Sequence, residues 1–267
     1  MEFVDGLSSV FGARGPRTFD SLLKFTDLSP STQRHMQKAR LLPADVYATL
    51  AVTLLFAAAG CYINMLTGVG GMLGVLGFMA CTIWLGFTPA LPSTLRKREG
   101  LLMGAALCQG TSLGPLVNLT YTLHPGVLLT AFLGTAAIFL CFSGAALLAR
   151  RRSYLFLGGM LSSVLAVFAT MRLVTWFTGG GAALFEAELY LGLLVFLGYV
   201  LYDTQLAVEK AEAGDRDTVR AAQDLFIDFM AVFVRLLVIL LRNAGKRDEE
   251  EGRDRRRSRG GRRRTEL

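Results

Sequence analysis

Long apolar runs recur along this sequence, and they constrain its fold more than any other feature. A helix needs about 20 mainly apolar residues to cross the ~30 Å hydrocarbon core of a bilayer. Seven segments meet or approach that length, at residues 46–66, 69–91, 100–120, 126–149, 154–177, 189–208 and 225–241. A composition of 52% hydrophobic and 18% charged residues is also wrong for an ordinary soluble domain. The sequence therefore predicts an all-α, polytopic membrane helical bundle.

Three regions follow from this pattern: a cytosolic N-terminal segment at 1–45, a transmembrane domain at 46–241 and a basic C-terminal tail at 242–267. The N-terminal segment is polar and of mixed charge, which does not fit a cleaved signal peptide. The tail carries 11 basic and 6 acidic residues, so it supplies +5 of the net charge of +7. Such a charge-dense, glycine-containing segment is predicted to be disordered. Because the charge is concentrated at one end of an apolar body, nucleic-acid binding is not expected.

Basic residues occupy alternate loops of the predicted bundle. They precede the first segment and lie between segments two and three, four and five, and six and seven, whereas the other loops have none. Lys and Arg near span ends stay in the cytosol, so the N-terminus is predicted to be cytosolic. A full seventh crossing would put the basic tail on the opposite face. Either segment seven dips in and returns, leaving the tail cytosolic, or the tail is exoplasmic. The first alternative is favoured.

The residue types needed for common enzymes and metal sites are scarce. Cys61, Cys81, Cys108 and Cys141 are widely spaced in apolar runs, which indicates membrane packing rather than a disulfide framework. Two histidines cannot form a zinc set, and no phosphate-binding loop or serine nucleophile motif is present. The sequence predicts a protein that is not an enzyme and has no cofactor.

Two acidic residues at membrane depth are the main candidates for function. A charge there costs roughly 2.5–3.5 kcal/mol on insertion scales, so it calls for a functional hypothesis. Asp203 follows an apolar stretch in segment six, and Asp228 lies one turn inside segment seven. If the two segments form an antiparallel hairpin, the carboxylates can face each other.

Two adjacent carboxylates cannot both ionise cheaply, so they would titrate as a coupled pair and sense protons. They could also bind Ca²⁺, which prefers carboxylate oxygens, in competition with protons. The alternative is that each aspartate ends its helix near the interface and meets water.

Other polar residues in the predicted segments have supporting roles. Arg235 shares a face of segment seven with Asp228 and is expected to meet a different partner or to snorkel. Arg172 is expected to snorkel. Gln109 could form a hydrogen bond between helices, which most simply strengthens packing.

The basic clusters of the tail are candidate partner-binding residues. They could attract anionic membrane lipid or an acidic protein such as calmodulin, or they could form a solvated tail that enforces topology. The clusters are Arg255, Arg256, Arg257, Arg262, Arg263 and Arg264.

Four stretches closely resemble the Bax inhibitor-1 family, most nearly its plant branch. They are HPGVLLTAFLGTAAIFLCFS, ARRRSYLFLGG, YDTQLAVEKAEAGDRD and DLFIDFMAVFVRLL, at 124–143, 149–159, 202–217 and 224–237. The resemblance implies six outer helices around a central seventh and an endoplasmic-reticulum protein that suppresses programmed cell death and influences store calcium. It also implies that Asp203 and Asp228 form a pH-sensing, calcium-associated site. The family's latching arginine corresponds to Arg96 or Arg98, and plant relatives engage calmodulin through the tail.

We therefore predict a suppressor of cell death, active in stress responses, that acts through a pH-sensitive calcium leak or through control of store calcium. The alternative is a non-conducting adaptor that recruits calmodulin or other reticulum membrane proteins through its tail and loops. An intramembrane aspartyl protease would need a glycine-flanked second aspartate, whereas Asp228 lies in FIDF.

Overall fold

The structure is a computed structural model that describes residues 30–148, 156–178, 182–215 and 217–265. All regular structure in these ranges is helical, which confirms the predicted all-α fold. The chain divides into residues 1–41 and 42–267, and the bundle belongs to the second unit. The helices are α1 (Pro30–Thr67), α2 (Met72–Phe87), α3 (Leu95–Leu123), α4 (Pro125–Leu148), α5 (Leu157–Thr178), α6 (Ala182–Glu212) and α7 (Thr218–Thr265), with a 3-10 turn at Pro92–Thr94.

Five stretches of these helices are long and apolar enough to cross a membrane. They lie at Ala44–Thr67, Pro92–Leu123, Pro125–Leu148, Leu157–Thr175 and Phe185–Glu212. α2 is apolar but has only 16 residues. A continuous helix satisfies its own backbone hydrogen bonds, which is why apolar runs in lipid fold this way. The prediction of a polytopic membrane bundle is confirmed.

α7 is the central helix of the bundle. It packs against α3, α4 and α6, while α2 packs against α3 and α5 packs against α6. Its buried apolar residues make up a large share of the core: Val219, Ala222, Leu225, Phe226, Phe229, Met230, Val232, Phe233, Leu237 and Ile239. The outward residues of the other helices are exposed apolar side chains, as expected of surfaces that face lipid.

Small residues bring the first three helices into close contact. A Cβ added to Gly110 of α3 would lie 1.9 Å from the carbonyl oxygen of Ala57 in α1. A Cβ at Gly74 of α2 would lie 2.8 Å from the carbonyl oxygen of Cys108. Both glycines permit backbone contacts that any larger residue would separate. α3 continues through Pro115 as one helix.

The contacts define two ends of the bundle. At one end, Val46 at the start of the first span lies beside Leu147 of α4 and Leu225 of α7. At the other end, His124 at the α3–α4 junction lies 3.3 Å from Asp248 of α7. α7 thus runs from one end to the other as a single helix. This differs from the favoured expectation that segment seven returns, and the reason is that its polar residues are sheltered against neighbouring helices.

The tail also differs from its predicted disorder. α7 continues as helix to Thr265, well beyond residue 242. Glu, Lys and Arg have high helix propensity, and acidic residues at 249–251 precede basic ones by three to four positions. These local preferences favour helix even where no apolar core is available.

Candidate functional site

The carboxyl groups of Asp203 and Asp228 meet inside the bundle. Asp203 lies on α6 and Asp228 on the antiparallel α7, and their side chains are in hydrogen-bonding contact. Asp228 is only 3% exposed, and its Oδ2 atom has no hydrogen-bond partner among the described residues. The arrangement brings two acidic groups into one sheltered position where a proton can be shared.

Buried contacts on both helices fix the position of the pair. Thr204, next to Asp203, lies with its hydroxyl 3.4 Å from that of Ser143 in α4. On α7, the ring of Phe229 packs edge-on against Phe139 of α4, with centroids 5.5 Å apart. Both helices are therefore held against α4 immediately beside the aspartates. The carboxyl groups cannot separate without loss of this packing.

A polar cleft joins the aspartate pair to one end of the bundle. It is formed by the end of α6, the α6–α7 loop and the start of α7. Its lining residues are Asp203, Leu206, Ala207, Lys210, Asp215, Asp217, Arg220, Ala221 and Asp224. The cleft opens at the end where the first span begins, and it gives Asp203 a route to solvent.

Asp224 is a third carboxylate that the sequence analysis did not assign to the site. It lies one helical turn before Asp228 on the same face of α7, and it interacts electrostatically with both Asp203 and Asp228. Burial raises the pKa of Asp224, while the nearby Arg220 and Lys210 act in the opposite direction. The four-residue spacing from Asp228 was the signal in the sequence that could have identified it.

The two arginines considered as a latch do not contact the aspartate pair. Arg96 is exposed in the first turn of α3. Arg98 is 4% exposed and donates two hydrogen bonds to Asp217, at 2.8 and 2.6 Å. Asp217 precedes α7 and accepts a hydrogen bond from the backbone N–H of Arg220, so it caps that helix. Arg98 therefore ties the start of α3 to the start of α7.

The remaining polar residues predicted to support the site lie apart from it. Arg235 donates to the carbonyl oxygen of Ala231 at 3.0 Å, and its guanidinium lies 4.4 Å from the ring centroid of Phe196 in α6. Gln109 is half-buried in α3, and no hydrogen bond from its side chain to another helix is found in the described part of the chain. Arg172 forms an ion pair with Glu188 of α6, in addition to being partly exposed.

The tail arginines 255–257 and 262–264 have helical backbones, but their side chains lie outside the described residues. Earlier in α7, at the boundary with the apolar body, one arginine does have a described partner. Arg242 forms an ion pair with Glu186, near the start of α6.

The aspartate pair alone does not make a resident calcium site. Ca²⁺ takes six to eight oxygen ligands, and two carboxylates supply at most about four. Among the described residues, no group of three or more His, Cys, Asp or Glu side chains is arranged to hold a metal.

Comparisons with known proteins give the family. The family model described as "Inhibitor of apoptosis-promoting Bax1" matches residues 38–245. Bax inhibitor 1 of Arabidopsis thaliana is 43% identical over 92% of this chain and 97% of its own length. Bax inhibitor 1 of Mus musculus is 47% identical over 87% of this chain and 96% of its own. Bax inhibitor 1 of Oryza sativa subsp. japonica is 43% identical over 93% of this chain and 97% of its own length. All seven helices fall largely within the matched range, so this chain belongs to the Bax inhibitor-1 family.

Proposed function

We propose that this protein suppresses programmed cell death from the endoplasmic-reticulum membrane by setting a pH-sensitive calcium leak. The relatives' name, Bax inhibitor 1, supports the suppression of cell death. The single observation that carries the mechanism is the contact between Asp203 and Asp228 inside the bundle. The alternating basic loops support an orientation in which the polar cleft faces the cytosol.

The mechanism is competition for a shared carboxylate site. When the pair holds a proton, one carboxyl donates to the other and keeps α6 and α7 together. When the pair loses it, two negative charges repel each other, and a passing Ca²⁺ can neutralise them. Charge on the pair therefore biases α7 between two packings, and the cleft beside Asp203 supplies ions and protons.

Calcium flux from reconstituted vesicles tests this mechanism. We expect the wild-type leak to change between mildly acidic and mildly alkaline pH. Asp203→Asn and Asp228→Asn should each remove that change, because an amide neither gains nor loses a proton. Asp45→Asn is the matched control, since Asp45 is exposed at the start of the first span. It should respond to pH as the wild type does.

The mechanism is refuted if Asp228→Asn keeps a normal pH response while the wild type and control behave as expected. Deletion of residues 243–267 distinguishes the adaptor alternative. An adaptor that recruits calmodulin or other membrane proteins through the tail would lose protection of Bax-expressing cells with its vesicle flux unchanged. If the aspartate pair sets the leak, the aspartate variants should lose both the protection of cells and the pH response of the calcium flux.

A further inference from the structure

A second polar cluster lies far from the aspartates, where α5 ends and α6 begins. Arg172 of α5 contacts Glu188 of α6, with Nε 2.8 Å from Oε1 and 2.6 Å from Oε2. Arg235 of α7 is the third member, because it interacts electrostatically with both of these residues. The cluster holds two guanidinium groups and one carboxylate, so its net charge is positive.

Beside this cluster is a cavity of about 550 Å³ between α5 and α6. Its walls are mainly apolar, with Val164, Val167 and Phe168 from α5 and Leu191, Leu194 and Val195 from α6. Pockets for small molecules typically measure ~300–1,000 Å³, so the space can hold an extended ligand. α5 packs against α6, and just 6% of its membrane-spanning stretch is buried.

The polarity of the cavity changes along its length. Its polar lining residues, Arg172, Thr175 and Glu188, all lie towards the end where α5 finishes and α6 starts. The lining continues away from them to Met160, twelve residues before Arg172, which at 1.5 Å per residue is about 18 Å. One leaflet contributes about half of the ~30 Å hydrocarbon core, so the apolar part matches the depth of a single acyl chain.

The geometry points to a binding site for an anionic phospholipid, with the phosphate at Arg172 and an acyl chain between α5 and α6. The side chain of Arg172 is 59% exposed despite its contact with Glu188, so it can still approach a ligand. Guanidinium groups bind phosphate oxygens through paired hydrogen bonds. Arg235, which interacts electrostatically with Glu188, adds a second positive charge to the cluster.

Native mass spectrometry of the full-length protein in detergent tests this site. The probes are phosphatidylglycerol and phosphatidylcholine with identical acyl chains, which differ in net charge. We expect wild-type protein to retain phosphatidylglycerol in preference to phosphatidylcholine. Arg172→Gln removes an exposed side chain and should fold normally. Since a tenfold change corresponds to about 1.4 kcal/mol, one lost charge-assisted contact should reduce the preference about tenfold.

A second variant tests the cavity independently of charge. Val167→Trp should fill the slot and abolish retention of both lipids. Leu133→Trp is the matched control, because Leu133 is an exposed apolar residue on α4 and does not line the cavity. It should bind both lipids as the wild type does. Equal retention of the two lipids by wild type, or unchanged binding in Arg172→Gln or Val167→Trp, would overturn the proposal and leave only ordinary annular lipid.

Discussion

Asp224 occupies a position between the aspartate pair and solvent. It lines the polar cleft with Asp203, and it shares a face of α7 with Asp228. Two cationic residues of the cleft, Lys210 and Arg220, lie near it and favour its charged form. Burial outweighs them and raises the pKa of Asp224 above its ordinary value of 3.8. Three carboxylates therefore follow one another from the cleft into the bundle.

Asp224→Asn should stabilise the protein at neutral pH. Because the folded state holds the Asp224 proton more tightly than the unfolded state, the free energy of unfolding falls as pH rises above 3.8 and through the raised pKa. An asparagine does not titrate, so the free energy of unfolding of the variant has no such fall with pH. We expect a higher melting temperature for Asp224→Asn in detergent at neutral pH, and a gain that disappears below 3.8.

Asp45→Asn is the control for this measurement, since Asp45 is exposed and should show no gain at any pH. An Asp224→Asn variant that melts below the wild type at neutral pH would contradict the effect of burial. It would mean that the attraction of Lys210 and Arg220 dominates.

The identity of the aspartate pair could be predicted from residue type and spacing. A carboxylate without a partner at membrane depth carries a large free-energy cost, and two such residues on consecutive segments suggest a shared site. The role of Arg98 could not be predicted in this way. Its partner is 119 positions away in sequence, and several basic residues of the same loop were equally plausible before the fold was known.

At the scale of helices, the ion pair of Arg98 and Asp217 connects elements that are distant in sequence. Both side chains are largely buried, at 5% and 13% exposure. The carboxylate also caps α7, so one contact fixes where α3 and α7 begin relative to each other. The Nε atom of Arg98 is buried with no hydrogen-bond partner in the described part of the chain, and the two terminal nitrogens form the interaction.

Arg98→Met should destabilise the bundle strongly. Removing one member of a buried pair leaves the other charge uncompensated, which typically costs about 3–5 kcal/mol. Chemical unfolding in detergent would measure the loss. Arg96→Met is the matched control: Arg96 is exposed two residues earlier on the same helix and should change stability by less than about 0.5 kcal/mol. Similar losses of unfolding free energy in both variants would show that Arg98 contributes only a positive charge and not a specific contact with Asp217.

The helical tail shows how two local tendencies compete. Its composition predicted disorder because no apolar surface is available to offset the entropy of folding. Its residue types are nevertheless good helix formers, and α7 is already nucleated within the bundle. Extending an existing helix avoids the cost of nucleation, which composition alone does not reveal. Calmodulin binding to this tail stays a prediction.

For the whole molecule, the course of α7 decides at which end of the bundle the tail lies. Asp228 contacts Asp203 late in α6, and Arg242 contacts Glu186 near the start of α6. These pairs follow the antiparallel order of two helices that run side by side across the bundle. A segment seven that entered the bundle and returned to the same end could not contact both Asp203 and Glu186. Within the bundle, α7 therefore ends at the opposite end from the α6–α7 loop.

Epitope tags with protease protection in sealed microsomes test this topology. A tag between residues 214 and 215, in the α6–α7 loop, and a tag after residue 267 should lie on opposite sides of the membrane. A tag at the N-terminus serves as the control. It should show the same protease protection as the loop tag, because basic residues precede the first span. Equal protection of the loop and C-terminal tags would show that α7 does not cross.

The sequence by itself determined the all-α membrane fold, the approximate limits of its apolar segments, the alternating loop charges and the two aspartates of the site. These features depend on residue type and local spacing, because a bilayer requires continuous apolar helices and penalises isolated charge. Only the tertiary structure decided that Arg98 binds Asp217, that Asp224 joins the pair and that α7 runs the length of the bundle as one helix. Each of these depends on which helix faces lie together, and packing between distant segments sets that arrangement.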